Sequence, residues 1–235
     1  MATEKVTKLD ALLFDKDGTL FDFHATWGTW GGTVITELSG GDKKLRADLA
    51  EAMCYDLSQN RFDPTSPFIA GTNREVAELL ADTVGTRSAD DIEEHLMHSA
   101  AAAPQIEAVP LAPLLDGFKA QGLVLGVLTN DSEYAARANL TGVGVAETFD
   151  FIAGFDSGYG FKPKPDPCLA FAKIMNLDPA RVAMVGDSTH DLFAGRAAGM
   201  QTIAVLTGTA PRSQLAPHAD VVLPDIGYIP VWLMK

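Results

Sequence analysis

Five short apolar runs punctuate the chain, at residues 9–14, 123–128, 182–185, 202–206 and Val221–Leu223, and each ends in turn-forming or polar residues. Each is too short for an ordinary helix and apolar at consecutive positions, the pattern of a strand buried on both faces of a parallel sheet. Between the later runs, apolar positions recur at helical spacing over 132–140, 167–175 and 191–198, the last closed by Gly199. This alternation predicts an α/β fold with a doubly wound, mostly parallel sheet, a Rossmann-like core.

The alternation is interrupted after the first run. From Asp22 to Pro104, helical patterns cover 43–57, Asn73–Val84 and Ala89–Ala101, with Ser88 and Asp91 spaced as a helix cap, and no strand pattern stands out. The economical organisation is an α/β core of residues 1–21 and 105–235 with an inserted helical cap domain, 22–104. The connections would run through 21–25 and through 102–113, which carries Pro104, Pro110 and Pro113. A length of 235 residues suits one such core with a modest insertion and is too short for two large domains.

Composition narrows the partners. Apolar residues make up 47% of the chain, yet no run approaches the roughly 18 needed to span a bilayer, so no membrane association is expected. Residues 1–10 mix Glu4, Lys5 and Lys8 with short side chains and lack the apolar centre of a secretion leader. The only cysteines, Cys54 and Cys168, are too far apart in sequence for a paired-thiol motif, which points to reduced thiols and a cytoplasmic protein. A net charge of −13 repels nucleic acid and anionic lipid. A small ligand remains, and an anionic one would need a cation to hold it.

Four strand ends or loops carry the candidate chemistry. The first run leads into Asp15-Lys16-Asp17-Gly18-Thr19, two acids beyond a buried strand at the sheet edge where open α/β folds bind ligands. Like charges this close need a cation or a shared proton, although such a turn alone is equally an ordinary polar or calcium-type loop. Thr129 and Asn130 follow the second run, offering a hydroxyl, an amide and backbone donors, or a helix cap. Lys162 and Lys164 stand in the proline-stiffened run 161–167, which by itself reads as a linker. Asp187 and Asp191 follow the next strand and would share a face if a helix starts early. Together they supply acids, a hydroxyl, amide donors and a cation. Oxygen-only acidic ligands favour Mg²⁺, and this is the equipment of phosphoryl transfer.

These four segments, in this order, resemble the motifs of the haloacid dehalogenase superfamily: Asp15-x-Asp17-Gly18-Thr19, Thr129, Lys162 before proline, and Gly186-Asp187-x-x-x-Asp191. The resemblance spans residues 9–207. The run 185–200 looks most like the phosphoglycolate phosphatase and β-phosphoglucomutase branch, which carries a helical cap after the first motif. It implies a Mg²⁺-dependent phosphatase acting on a small phosphorylated metabolite, phosphoglycolate-like or a sugar phosphate, through an aspartyl phosphate. By the same resemblance Asp15 is the nucleophile and Asp17 the general acid and base. Thr129, Asn130 and Lys162 bind the phosphoryl group, and Asp15, Asp187 and the Asp17 carbonyl hold Mg²⁺. Asp191 orients the metal shell or Lys162, and Lys162 is preferred over Lys164 on family spacing. The dehalogenases lack the second acid of the first motif, so Asp17 argues for phosphate esters. A phosphomutase is the nearest alternative, and a phospho-Asp signalling or binding module a more distant one. The chain departs from many phosphoglycolate phosphatases over 20–27, where they carry a serine, so the substrate is left open. His24, Trp27 and Trp30 are either pocket lining or packing of the first cap helix. Segment 68–74 resembles a specificity loop of this branch, and Arg61 or Arg74 would be candidates for a substrate carboxylate or merely surface charges. A monomer or a homodimer fits equally.

Overall fold

The computed structural model describes residues 8–234, so most of the stretch read for a leader lies outside the described residues. The chain opens with strand β1 (Ala11–Phe14), then α1 (Phe23–Ser39), α2 (Lys43–Ala52), β2 (Tyr55–Asp56), β3 (Arg61–Phe62), α3 (Pro67–Ala70), α4 (Asn73–Val84) and α5 (Ala89–Ala101). It continues through α6 (Leu111–Ala120), β4 (Val124–Leu128), α7 (Glu133–Gly142), β5 (Phe151–Ala153), α8 (Asp166–Ile174), β6 (Val182–Gly186) and α9 (Thr189–Ala197). The last elements are β7 (Gln201–Val205), α10 (Arg212–Leu215), β8 (Val221–Leu223) and α11 (Ile229–Leu233).

Six strands form one parallel sheet in the order β5-β4-β1-β6-β7-β8. The two-residue period of a strand splits its apolar side chains between two layers. Leu12 and Phe14 face one layer with Leu115, Phe118, Leu140 and Ile229, whereas Ala11 and Leu13 face the other with Cys168, Phe171 and Ala194. Successive connections from β1 run toward β4 and β5, then cross back to β6 and run the other way. The strand order therefore reverses between β1 and β6, the position at which open α/β sheets form a ligand crevice.

Elements α1 to α5 bury their own apolar cluster, which includes Trp27, Trp30, Ile35, Leu49, Leu80 and Ile92, joined by Ala135 of α7. Three local differences from the sequence reading stand out here. The helical pattern over 43–57 ends at Ala52, and the remainder becomes an antiparallel hairpin pairing Tyr55 with Phe62 and Asp56 with Arg61. Helix α1 runs for 17 residues through Gly28, Gly31 and Gly32, residues that disfavour a helix interior. Gly31 is there because the hairpin packs against it: a Cβ would lie 2.6 Å from the Phe62 ring. Helix α6 accepts Pro113 within its first turn, where no intrahelical N–H is lost, and so continues a segment that reads as a linker. The cap signal at Ser88 and Asp91 is realised at the start of α5, and α4 carries a second reciprocal cap, between Thr72 and Glu75.

Candidate active site

The end of β1 turns sharply. Gly18 donates its N–H to the Phe21 carbonyl at 2.8 Å and has φ +83°, a conformation open to glycine, and its Cβ would lie 2.5 Å from the Asp187 carboxylate. The turn is fixed from the β7 side by the Thr207 hydroxyl, which donates to the Gly18 carbonyl at 2.6 Å. Asp15, one residue beyond β1, donates its N–H to the Val185 carbonyl of β6 at 2.8 Å, and this places it beside Asp187 at the strand-order reversal. Asp15, Asp187 and Asp191 each offer an oxygen within 4.8 Å of the others, and all three are buried.

One ammonium joins two of these acids. Lys162 Nζ donates to Asp15 and to Asp191, each at 2.6 Å, and is itself buried. Burial would lower the lysine, but Asp15 and Asp191 outweigh it and raise its pKa, so it carries its proton. Its position is set by Asn130, whose side-chain amide accepts from the Lys162 N–H and donates to the Lys162 carbonyl, both at 3.0 Å. The Lys162–Pro163 peptide bond is cis. Lys164 is exposed, with its ammonium 4.9 Å from the centre of the Phe161 ring. Asp191 lies in the first turn of α9 and also accepts from the Ser188 N–H at 3.0 Å and hydroxyl at 2.6 Å, so it caps the helix while anchoring Lys162.

Burial raises the Asp15 carboxyl to about 7, with Asp191 and Asp17 adding to the effect and Lys162 opposing it. Asp187 is raised well above the ordinary carboxylate range by burial and by the charges of Asp15 and Asp191. Its closest side-chain donor is the Thr19 hydroxyl at 3.5 Å, at the limit of a hydrogen bond. Two adjacent buried carboxylates, Asp15 joined to Lys162 and Asp187 with so little donor support, are what a hard divalent cation satisfies, and the residues present fit Mg²⁺.

Asp17 is partly exposed and held by two donors: Trp27 Nε1 at 2.7 Å and Lys16 Nζ at 2.9 Å. Lys16 is fully buried. It also donates to Asn139 at 3.0 Å and stands 3.3 Å from Asp131, which in turn accepts from the Asn73 amide of α4 at 2.9 Å. The sequence motifs assign no role to Lys16 or to Asp131. The partner Asn139 is 123 positions away, and no local signal announces it.

Asp15, Asp17, Thr129, Asn130, Lys162 and Asp187 all line one cleft, roofed by Phe23, Trp27, Phe68, Ile69 and Val76 from α1, α3 and α4. Thr129 is buried there, and its hydroxyl accepts from the Asp131 N–H at 3.0 Å. The other candidates lie elsewhere among the described residues. His24 does not line the cleft and packs edge-on against Phe23. Arg74 turns outward to Glu78, Asp90 and Glu93, and Arg61 is exposed on the hairpin. Trp30 donates to Ser99 and packs against Trp27 and Phe68.

Comparison with known proteins agrees with this geometry. The model of the haloacid dehalogenase-like hydrolase family matches residues 9–199. A phosphoglycolate phosphatase of Neisseria meningitidis is 30% identical over 236 residues, covering 96% of this chain and 92% of its own. An N-acetylmuramic acid 6-phosphate phosphatase of Pseudomonas aeruginosa is 28% identical over 235 residues, covering 93% and 92%. The fold is shared with the crystal structure of a predicted phosphoglycolate phosphatase from Haemophilus somnus, with a TM-score of 0.74 and 19% identity over 98% of this chain and 100% of that one. With its motif acids gathered at the strand-order reversal beneath a helical roof, the chain belongs to the haloacid dehalogenase-like hydrolase family and is an enzyme of its phosphatase type.

Proposed function

We propose that the protein hydrolyses a small phosphate monoester through an aspartyl phosphate on Asp15, with Mg²⁺ as its metal. The observation that supports this most is the pairing of two differently placed acids in one cleft: Asp15, buried against Lys162, and Asp17, partly exposed on the roof side against Trp27. The first suits a nucleophile and the second a proton carrier that meets the leaving group.

In the first step an oxygen of Asp15 attacks phosphorus, the bond from phosphorus to the alcohol oxygen breaks, and Asp17 gives the departing alcohol its proton. In the second, water attacks the phosphorus of the aspartyl phosphate and gives its proton to Asp17, and the bond to Asp15 breaks to release phosphate. Lys162 neutralises the transferring group and orients Asp15, while Asp191 holds Lys162 in place. Thr129 and the backbone at Asn130 receive phosphoryl oxygens. Asp15, Asp187 and the backbone carbonyl of Asp17 would hold Mg²⁺, which when bound supplies positive charge against the phosphoryl oxygens. The division into a core of 1–21 and 105–235 and a cap of 22–104 assigns the chemistry to the first and the roof of the cleft to the second. The unpaired thiols of Cys54 and Cys168 suit a reducing cytoplasm, and among the described residues no helix is long and apolar enough to cross a membrane.

The test is hydrolysis of p-nitrophenyl phosphate after exhaustive chelation. Turnover should vanish, return with Mg²⁺ and return little with Ca²⁺, whose looser and larger shell suits an in-line transfer poorly. Full turnover in chelator would refute the proposed metal role.

A further inference from the structure

Among the described residues, no lysine or arginine on the walls that receive the alcohol half of the substrate is free, and the cationic candidate left there is the imidazole of His190. Among the described residues lining the cleft, the lysine is Lys162, committed to Asp15 and Asp191, while Lys16 lies beneath, committed to Asp17 and Asp131. Neither arginine proposed for a substrate carboxylate reaches the walls: Arg74 is bound by three carboxylates on the outer face, and Arg61 is exposed on the hairpin. Asp17 and Asp131 also line the cleft, two carboxylates sharing the one ammonium of Lys16. A carboxylate on the leaving group would therefore be desolvated beside an excess of like charge, which disfavours its recognition.

The shape of the site adds a second constraint. The inner cleft, about 60 Å³, has aromatic side chains on its roof, Trp27 and Phe68 among them. Past Ile69, Gly71 and His190, which line both spaces, lies an outer chamber of about 470 Å³. Its walls include the hydroxyls of Thr65, Thr189 and Thr209 and the amide of Gln214. Glu75 and the committed Lys162 line the chamber as well, and aromatic faces inside with hydroxyl and amide groups outside match a molecule with C–H faces and several hydroxyls. The chamber also exceeds the needs of a two-carbon acid.

Resting on the phosphatase reading, we infer that the alcohol released here is an uncharged, polyhydroxylated one, a sugar or polyol, and that phosphate esters bearing a carboxylate are disfavoured. This departs from the substrate for which the Neisseria relative is named.

The test uses pairs matched in size: glucose 6-phosphate against 6-phosphogluconate, and glycerol 3-phosphate against 3-phosphoglycerate, with phosphoglycolate and p-nitrophenyl phosphate alongside. Assays are run at pH 8, where imidazoles carry little charge. The neutral member of each pair should have a kcat/KM at least about tenfold higher. Calorimetric binding of the intact esters to D15N should follow the same order. Equal or reversed ratios, or preference for phosphoglycolate, would overturn the inference while leaving the phosphatase reading intact. No hydrolysis of any ester, p-nitrophenyl phosphate included, would overturn that reading and the inference with it. Ile69→Arg, which puts a cation on the shared wall, should narrow the gap for 6-phosphogluconate. An unchanged ratio in a variant with an unaltered melting temperature would overturn the assignment of that wall.

Discussion

Lys162 and Lys164 differ by two positions and by everything that matters to chemistry: one ammonium is buried between Asp15 and Asp191, the other lies exposed over the Phe161 ring. Replacing Lys162 by Met should lower kcat by about 10²-fold or more, the size of effect seen when a preorganised donor to transition-state charge is lost. Lys164→Met should stay within about twofold, as surface changes do. Similar losses in both variants would contradict the assignment. Burial also makes the acids report on the metal. Asp15 is raised to about 7, and Asp187 is raised well above its ordinary value, so both lie above their values in the unfolded chain. From about pH 4 upward the metal-free fold holds protons that the unfolded chain releases; their contribution to stability is complete below that and is lost as pH rises, for Asp15 through about 7. A cation favours the ionised forms, so the rise in Tm on adding Mg²⁺ should be larger at pH 8 than at pH 5. Equal increments by scanning calorimetry would show that these carboxylates do not hold it. The motif acids and Thr129 are legible because each follows a recognisable strand end, and Lys162 because it stands before a proline. Lys16, Asp131 and the outward turn of Arg74 are not, since their partners are brought in by tertiary packing.

At the scale of elements, the central strands are legible because burial on both faces leaves an unbroken apolar run; of the two three-residue edge strands, β8 stands out as Val221–Leu223 and β5 does not. Helix α1 and the β2–β3 hairpin escaped a pattern reading for a shared reason. The glycines that weaken the helical signal are the residues that admit the hairpin, and neither element makes sense without the other. Gly31→Ala would raise helix propensity by itself. Here its Cβ would meet the Phe62 and Tyr55 rings at 2.6 to 2.9 Å. The overpacking should prevail, destabilising the fold by about 1–3 kcal/mol in urea titration. A stabilised variant would mean that the hairpin does not seat on this face.

For the molecule as a whole, the sheet supplies the reacting groups and the helical insertion supplies the roof, and the two meet through few polar contacts. Trp27 of α1 reaches Asp17, and Asn73 of α4 reaches Asp131, which faces Lys16 beneath Asp17. Asp17 is thus held from both sides of the cleft, while Asp15 is held only by the core. Separating these two roles tests the central claim, that phosphate is transferred through Asp15 with Asp17 moving the proton. Asp17→Asn keeps the nucleophile and removes the proton carrier; p-nitrophenolate leaves without needing a proton, but water still needs a base. The decisive measurement is rapid-quench hydrolysis of p-nitrophenyl phosphate by this variant with Mg²⁺, followed by mass mapping of the quenched protein. The account predicts a burst of nitrophenolate approaching one equivalent per active site, slow turnover afterwards and a phosphoryl group on the peptide containing Asp15. A folded, metal-binding variant that loses the burst together with turnover and carries no phosphoryl group at Asp15 would contradict it.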